Sequence, residues 1–153
     1  MEKPKGLRLY YIVLSEDVTL VGKNALHQSE KNLIVFQPFF RLKLTLPTHI
    51  YLAFNVGIEI PDPNKNKLRG HFIDPDGNEI GKGVNLNRIL LQGDEYEDTE
   101  SANTILGGNV SANSTEMPID IPGEYSFVVK LNNELEIGRS SLIIENESDD
   151  YYE

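Results

Sequence analysis

The chain contains no cysteine. That absence removes disulfides, thiolate metal ligands and cysteine nucleophiles together, and it fits a reducing compartment. Basic residues are scarce: 14 Lys and Arg stand against 24 Asp and Glu, a formal net charge of −10. A surface of that sign is a poor match for nucleic acid, whose phosphates demand clustered cations, and for an anionic membrane. Long apolar runs are missing as well. No window approaches the roughly 20 apolar residues of a membrane-spanning helix, and the residues after Met1 hold no apolar core of a signal peptide. The expected location is the cytoplasm. Helix-forming runs of Ala, Leu, Glu and Lys are nearly absent, so the expected class is all-β.

Catalytic signatures are equally thin. There is no Gly-x-Ser-x-Gly elbow, no His-Glu-x-x-His pair and no Gly-rich phosphate loop between a strand and a helix. His27, His49 and His71 are the candidates for a general base near neutrality. Their flanks share no pattern, and all three read as surface histidines. Asp74-Pro75-Asp76-Gly77-Asn78 opens like a calcium loop. An EF-hand needs glycine at its sixth place and a bidentate glutamate at its twelfth, and those places hold Glu79 and Asn85. The stretch reads as a metal-free turn, with proline presetting φ and glycine accepting a positive one. No metal, no cofactor and no catalytic residue is expected, and the chain reads as a non-enzyme.

What the chain does have is alternation. At 153 residues, 39% apolar and 25% charged, it has the make-up of a single globular domain. Ile50, Leu52, Phe54, Val56, Ile58 and Ile60 alternate with Tyr51, Ala53, Asn55, Gly57 and Glu59, which predicts a strand with one buried face. Tyr125, Phe127, Val129 and Leu131 do the same after a Pro122-Gly123 corner, and Asn132-Asn133 can take the positive φ of a tight hairpin turn. Further strands are expected at 7–14, 18–21, 33–36, 40–46, 67–73, 79–91, 134–137 and, after Gly138, 141–145. The first of these is apolar on both faces, as in a central strand. Tyr10 and Tyr51 are expected on outer faces.

Between residues 92 and 117 the character changes. An acidic run with Asp94, Glu95, Glu97 and Asp98 precedes a stretch rich in Ser, Thr, Asn and Gly. Tyr96, Ile105 and Leu106 are its main apolar or aromatic handles. The expectation is a long polar loop, mobile in the free protein and ordered by a partner over those residues, unless it folds around a short strand at Ile105-Leu106. Its carboxylates and Asp62 are expected near the same end of the domain. Residues 1–145 read as the domain and 146–153 as an acidic, disordered tail.

Pro122-Gly123-Glu124-Tyr125-Ser126-Phe127 resembles the penultimate strand of immunoglobulin-like sandwiches. There a corner tyrosine buries its ring and bonds its hydroxyl back to the backbone, which makes Gly123 and Tyr125 a structural corner. Taken with the Gly22-Lys23 turn, the long strand from Ile50 and the Asp74-Pro75-Asp76-Gly77 hairpin, most of 7–145 resembles a family of small bacterial cytoplasmic domains of unknown function. The resemblance implies a single antiparallel, immunoglobulin-like β-sandwich and brings no functional residues with it. The expected function is a non-catalytic protein-binding or scaffolding module. It would act through a sheet edge or residues 92–117, on a protein partner or a second copy. Two alternatives stand beside it: an acidic inhibitor or immunity-type protein covering a basic site on an enzyme or nucleic-acid-binding protein, and a small-ligand or metal-binding domain.

Overall fold

The computed structural model describes residues 2–22, 31–38, 41–93 and 105–147. Among these residues, nine strands and one helix follow one another as β1 (Arg8–Gly22), β2 (Lys31–Pro38), β3 (Arg41–Leu44), β4 (Thr48–Pro61), β5 (Leu68–Ile73), β6 (Glu79–Asn85), α1 (Leu86–Gly93), β7 (Ile105–Ile119), β8 (Gly123–Leu131) and β9 (Leu135–Asn146). They form two sheets, ordered β2-β1-β4-β7 and β3-β9-β8-β5-β6. Every pairing is antiparallel except that of β3 with β9. The all-β class follows directly.

The alternation read from the sequence places the core. Leu52, Phe54, Val56, Ile58 and Ile60 of β4 are buried against Phe72 of β5, Tyr125, Phe127, Val129 and Leu131 of β8, and Leu142 and Ile144 of β9. The core therefore lies between the two sheets. Asn132 and Asn133 both take positive φ, 51° and 59°, and turn β8 into β9 as a tight hairpin. β9 is one continuous strand from Leu135 to Asn146, running through Gly138 rather than restarting after it.

β1 stands between β2 and β4 in the sheet order but serves them in succession, so 8–14, expected as a central strand, is paired on one side only among the described residues. Arg8 to Ser15 pairs with β4, and Ser15 to Gly22 pairs with β2. The separate strand expected at 18–21 is therefore the second half of β1. A bulge between Leu9 and Tyr11 inserts Tyr10 as an extra residue, 55% exposed. Inserting one residue reverses which parity faces the core, so Leu9 before the bulge and Ile12 and Leu14 after it all pack inward.

Two expectations are corrected. Residues 86–91 are helical, not the continuation of a strand from Glu79. A short apolar run suits either state, and local chemistry decides. Asn85 caps the first turn by accepting a 3.1 Å bond from the Arg88 amide. Leu86 and Leu90, four residues apart on one helical face, are then both buried.

The second correction concerns the polar loop expected over 92–117. Ile105 to Ile119 is a strand, laddered to β4 from Pro61 back to Thr48. Leu106, Val110, Met117 and Ile119 are buried. The first two sit on even positions and the last two on odd ones. A bulge between them, where Leu52 pairs with Thr115 but Phe54 with Ala112, absorbs the extra residue. A strand also needs apolar side chains on one face only, so the polar composition of 107–116 is no obstacle. At the far end of the chain, Asn146 still pairs with Leu44, and Glu147 accepts a 3.0 Å bond from Thr45. The predicted tail thus begins no earlier than 148, and 148–153 lies outside the described residues.

Candidate functional site

Among the described residues, the outermost strands of the two sheets are not protected alike. β3 is four residues long and carries Arg41 and Lys43. β6 carries Glu79 and Lys82 and faces a register shift in β5. β2 begins on Lys31 and ends on Pro38. In β7 the second half holds Glu116, Pro118 and the bulge, each a device that discourages strand addition. Its first half, Ile105-Leu106-Gly107-Gly108-Asn109-Val110-Ser111-Ala112, has no charge and no proline. Among the described residues, β7 pairs with β4 alone.

The predicted binding residues separate at this edge. Ile105 is 62% exposed, whereas Leu106 is buried in the core and has no surface to offer a partner. Helix α1 packs beside the strand, with Leu90 next to Gly108. Asp94, Glu95, Tyr96, Glu97 and Asp98 lie outside the described residues, as does His27. Tyr10 and Tyr51 are exposed, as expected.

The corner residues meet at one end of the domain. Tyr125 is 2% exposed, and its hydroxyl donates a 2.6 Å bond to the Ile121 carbonyl oxygen. Burial raises its pKa above the ordinary 10, with Asp74, Asp120 and Asp76 adding to the shift and the Ile121 bond opposing it. Gly123 has φ 138°, and a Cβ there would meet Pro75 at 2.8 Å. Glycine is required at that corner on both counts.

Beside the corner lies a cavity of about 320 Å³ whose walls include Asp74, Asp76, Glu79, Asp120, Ile121 and Tyr125. Four carboxylates line it, Asp74 and Asp76 from the β5–β6 turn, Glu79 from the start of β6 and Asp120 from the β7–β8 link. Asp74 is partly committed to the turn itself, since its Oδ1 accepts bonds from the Asp76 and Asn78 amides at 3.0 and 2.9 Å. Among the described residues no three His, Asp or Glu side chains are placed to hold a metal ion together. Asp62 lies elsewhere, at positive φ, with Lys65 3.7 Å from its carboxylate. No helix among the described residues is long and apolar enough to cross a membrane.

His71 departs from its expected surface position. It is 4% exposed, and neither ring nitrogen has a hydrogen-bond partner. It stands on the outer face of its sheet, opposite the fully buried Val128. The charged groups acting on it come from four strands: Arg69 of β5, Glu79 of β6, Lys130 of β8 and Glu136 of β9. Glu79 Oε1 is 3.6 Å from Nε2. Desolvation dominates and lowers the histidine's pKa below 6.5, with Glu79 opposing it. The sequence reading of His71 as a surface residue fits the outer face on which it stands. It carried no signal that this outer face is itself covered.

No family model and no curated protein matches this chain. Among solved structures it is similar to the Pseudomonas fluorescens alkylpurine DNA glycosylase AlkC bound to DNA containing an abasic site analog. The TM-score is 0.37 and the identity 11%, over 92% of this chain and 30% of that one. The chain thus spans less than a third of that protein's length, and a likeness at this level carries no argument about function.

Proposed function

We propose that this is a non-catalytic protein-binding module of immunoglobulin-like build, and that it captures a protein partner as an added strand on the first half of β7. The supporting observation is the edge itself: eight residues without charge or proline, beginning with the exposed Ile105, on a strand that pairs on one side only among the described residues. Backbone N–H and C=O groups of an added strand supply affinity, and alternate side chains supply specificity. The immunoglobulin-like part of the reading rests on Tyr125, whose hydroxyl returns to the backbone four residues upstream in the manner of a tyrosine corner. A photo-crosslinking residue at position 105 should yield one discrete protein adduct in native lysate, whereas the same residue at Lys82 on the β6 edge should not. Ile105→Lys should abolish partner capture with the melting temperature unchanged. Capture that survives Ile105→Lys and crosslinks equally from position 82 would sink the reading.

The acidic cavity supports a second reading, that of an inhibitor whose carboxylates cover a basic site on another protein. It requires that binding weaken steeply with salt and that Asp76→Asn with Asp120→Asn abolish it. Edge addition requires neither.

A further inference from the structure

At the opposite end of β5 from the acidic cavity lies a cleft of about 130 Å³ lined by Lys67, Leu68, Arg69, Asn85, Asn132 and Asn133. In a chain with 24 acidic and 14 basic residues, its lining holds two cations and no carboxylate. Among the described residues neither Lys67 nor Arg69 pairs with an acid. Glu136, on the neighbouring β9, is committed to Arg139 through two hydrogen bonds. Lys130 adds a further positive charge beside Arg69 in the ladder.

Two of the three amide side chains that line the cleft have their acceptor ends occupied. Asn132 Oδ1 accepts a 2.9 Å bond from the Lys67 amide, and Asn85 Oδ1 accepts one from the Arg88 amide. What these two side chains retain is their NH2 donors. The Arg69 guanidinium lies over Gly83, where a Cβ would fall 2.2 Å from Nε, so the missing side chain at 83 is what gives it room. The walls are also fixed. Asn132 donates its own amide to the Lys67 carbonyl at 2.8 Å, and buried Asn87 ties α1 to Leu68, Pro63 and Asn66.

We propose that this cleft binds a small oxyanion, either a phosphate or a carboxylate, through Lys67, Arg69 and the NH2 groups of Asn85 and Asn132. Two cations that pair with no acid among the described residues, and two amide side chains whose acceptor ends are already occupied, form a donor set that complements such a group. The site is separate from the β7 edge and does not depend on the function proposed for it.

The test is an NMR titration of the labelled protein with inorganic phosphate and, separately, with acetate, ionic strength being held constant with chloride. Saturating shifts are expected at the side-chain NH2 signals of Asn85 and Asn132 and at Arg69 Nε–H. Whichever anion saturates first identifies the ligand chemistry. Lys67→Gln and Arg69→Gln, both exposed, should each weaken binding about tenfold, as loss of one charge-assisted hydrogen bond does. Gly83→Ala, which displaces Arg69 without removing charge, should weaken it too, while Lys5→Gln should leave it unchanged. Shifts that stay linear for both anions, or a saturating affinity that survives Lys67→Gln with Arg69→Gln, would overturn the proposal.

Discussion

Phe54 of β4 and Phe127 of β8 stack across the interface between the two sheets, ring centroids 4.7 Å apart and planes at 20°. Phe72 of β5 leans on the same Phe127 ring at 4.9 Å and 59°. Phe54 and Phe127 are both fully buried. Phe54→Ala or Phe127→Ala should therefore cost about 3–5 kcal/mol in chemical denaturation. A double-mutant cycle should return a coupling of about 0.5–1.5 kcal/mol for the ring pair itself. A coupling near zero would mean that the sheets do not meet through these rings.

The corner gives a graded prediction. Tyr125→Ala removes a buried ring and should cost on the order of 3 kcal/mol. Tyr125→Phe loses only the 2.6 Å bond to Ile121 and should cost about 1 kcal/mol. The two variants also separate in alkali. Because the folded-state pKa lies above the ordinary 10, the phenol contributes stability that is complete below pH 10 and lost as pH rises through and beyond it. Tyr125→Phe should remove that part of the alkaline decline. An unchanged alkaline limb would place the titrating group elsewhere.

Asn87 is 3% exposed and fastens α1 to the sheet. Its Oδ1 accepts from the Leu68 amide at 2.8 Å, and its Nδ2 donates to the carbonyls of Asn66 and Pro63 at 2.9 and 3.2 Å. Asn87→Ala strands one donor and two acceptors, and a buried orphan costs about 1–3 kcal/mol. The expected loss is at least that of one orphan, with amide exchange at Leu68 accelerated along with it. If Asn87→Ala melts like the parent, the helix is not held by this residue.

The strands with unbroken alternation were legible because period two needs no tertiary information: β4 and β8 are where Phe54 and Phe127 said they would be. β7 was obscured by its bulge, which moves the buried set from Leu106 and Val110 to Met117 and Ile119 and breaks the period a reader counts. Helix α1 was obscured for another reason. Leu86 to Leu91 is too short for periodicity to separate helix from strand, and the deciding contacts, from Asn85 and Asn87, are capping and clasping bonds rather than pattern. Of the candidate site, Ile105 was legible as an exposed handle. The unequal protection of the edges was not, because it depends on which strands stand outermost. The oxyanion cleft was hidden for the same reason, since Lys67, Asn85 and Asn132 meet only through sheet order.

His71 yields the pH dependence. Its pKa is lowered in the folded state, chiefly by desolvation, so the native protein binds fewer protons at this site than the unfolded chain does. A group of that kind contributes stability that is complete above its ordinary value of about 6.5 and is lost as pH falls toward the lower folded-state value. The groups facing it do not reverse this. Glu79 and Glu136 favour the charged ring, but Lys130 and Arg69 oppose it and burial outweighs the balance. His71→Leu keeps a side chain of similar size opposite Val128 in the ladder and removes two unpartnered nitrogens. Above pH 7 it should leave stability unchanged or raise it by about 1 kcal/mol, given what a buried unsatisfied polar atom costs. Below pH 6.5 the gap between variant and parent should widen steadily in the variant's favour. Urea denaturation at a series of pH values measures both limbs. A parent and a His71→Leu variant that lose stability in parallel from pH 7 to pH 5 would show that the imidazole is solvated and titrates normally.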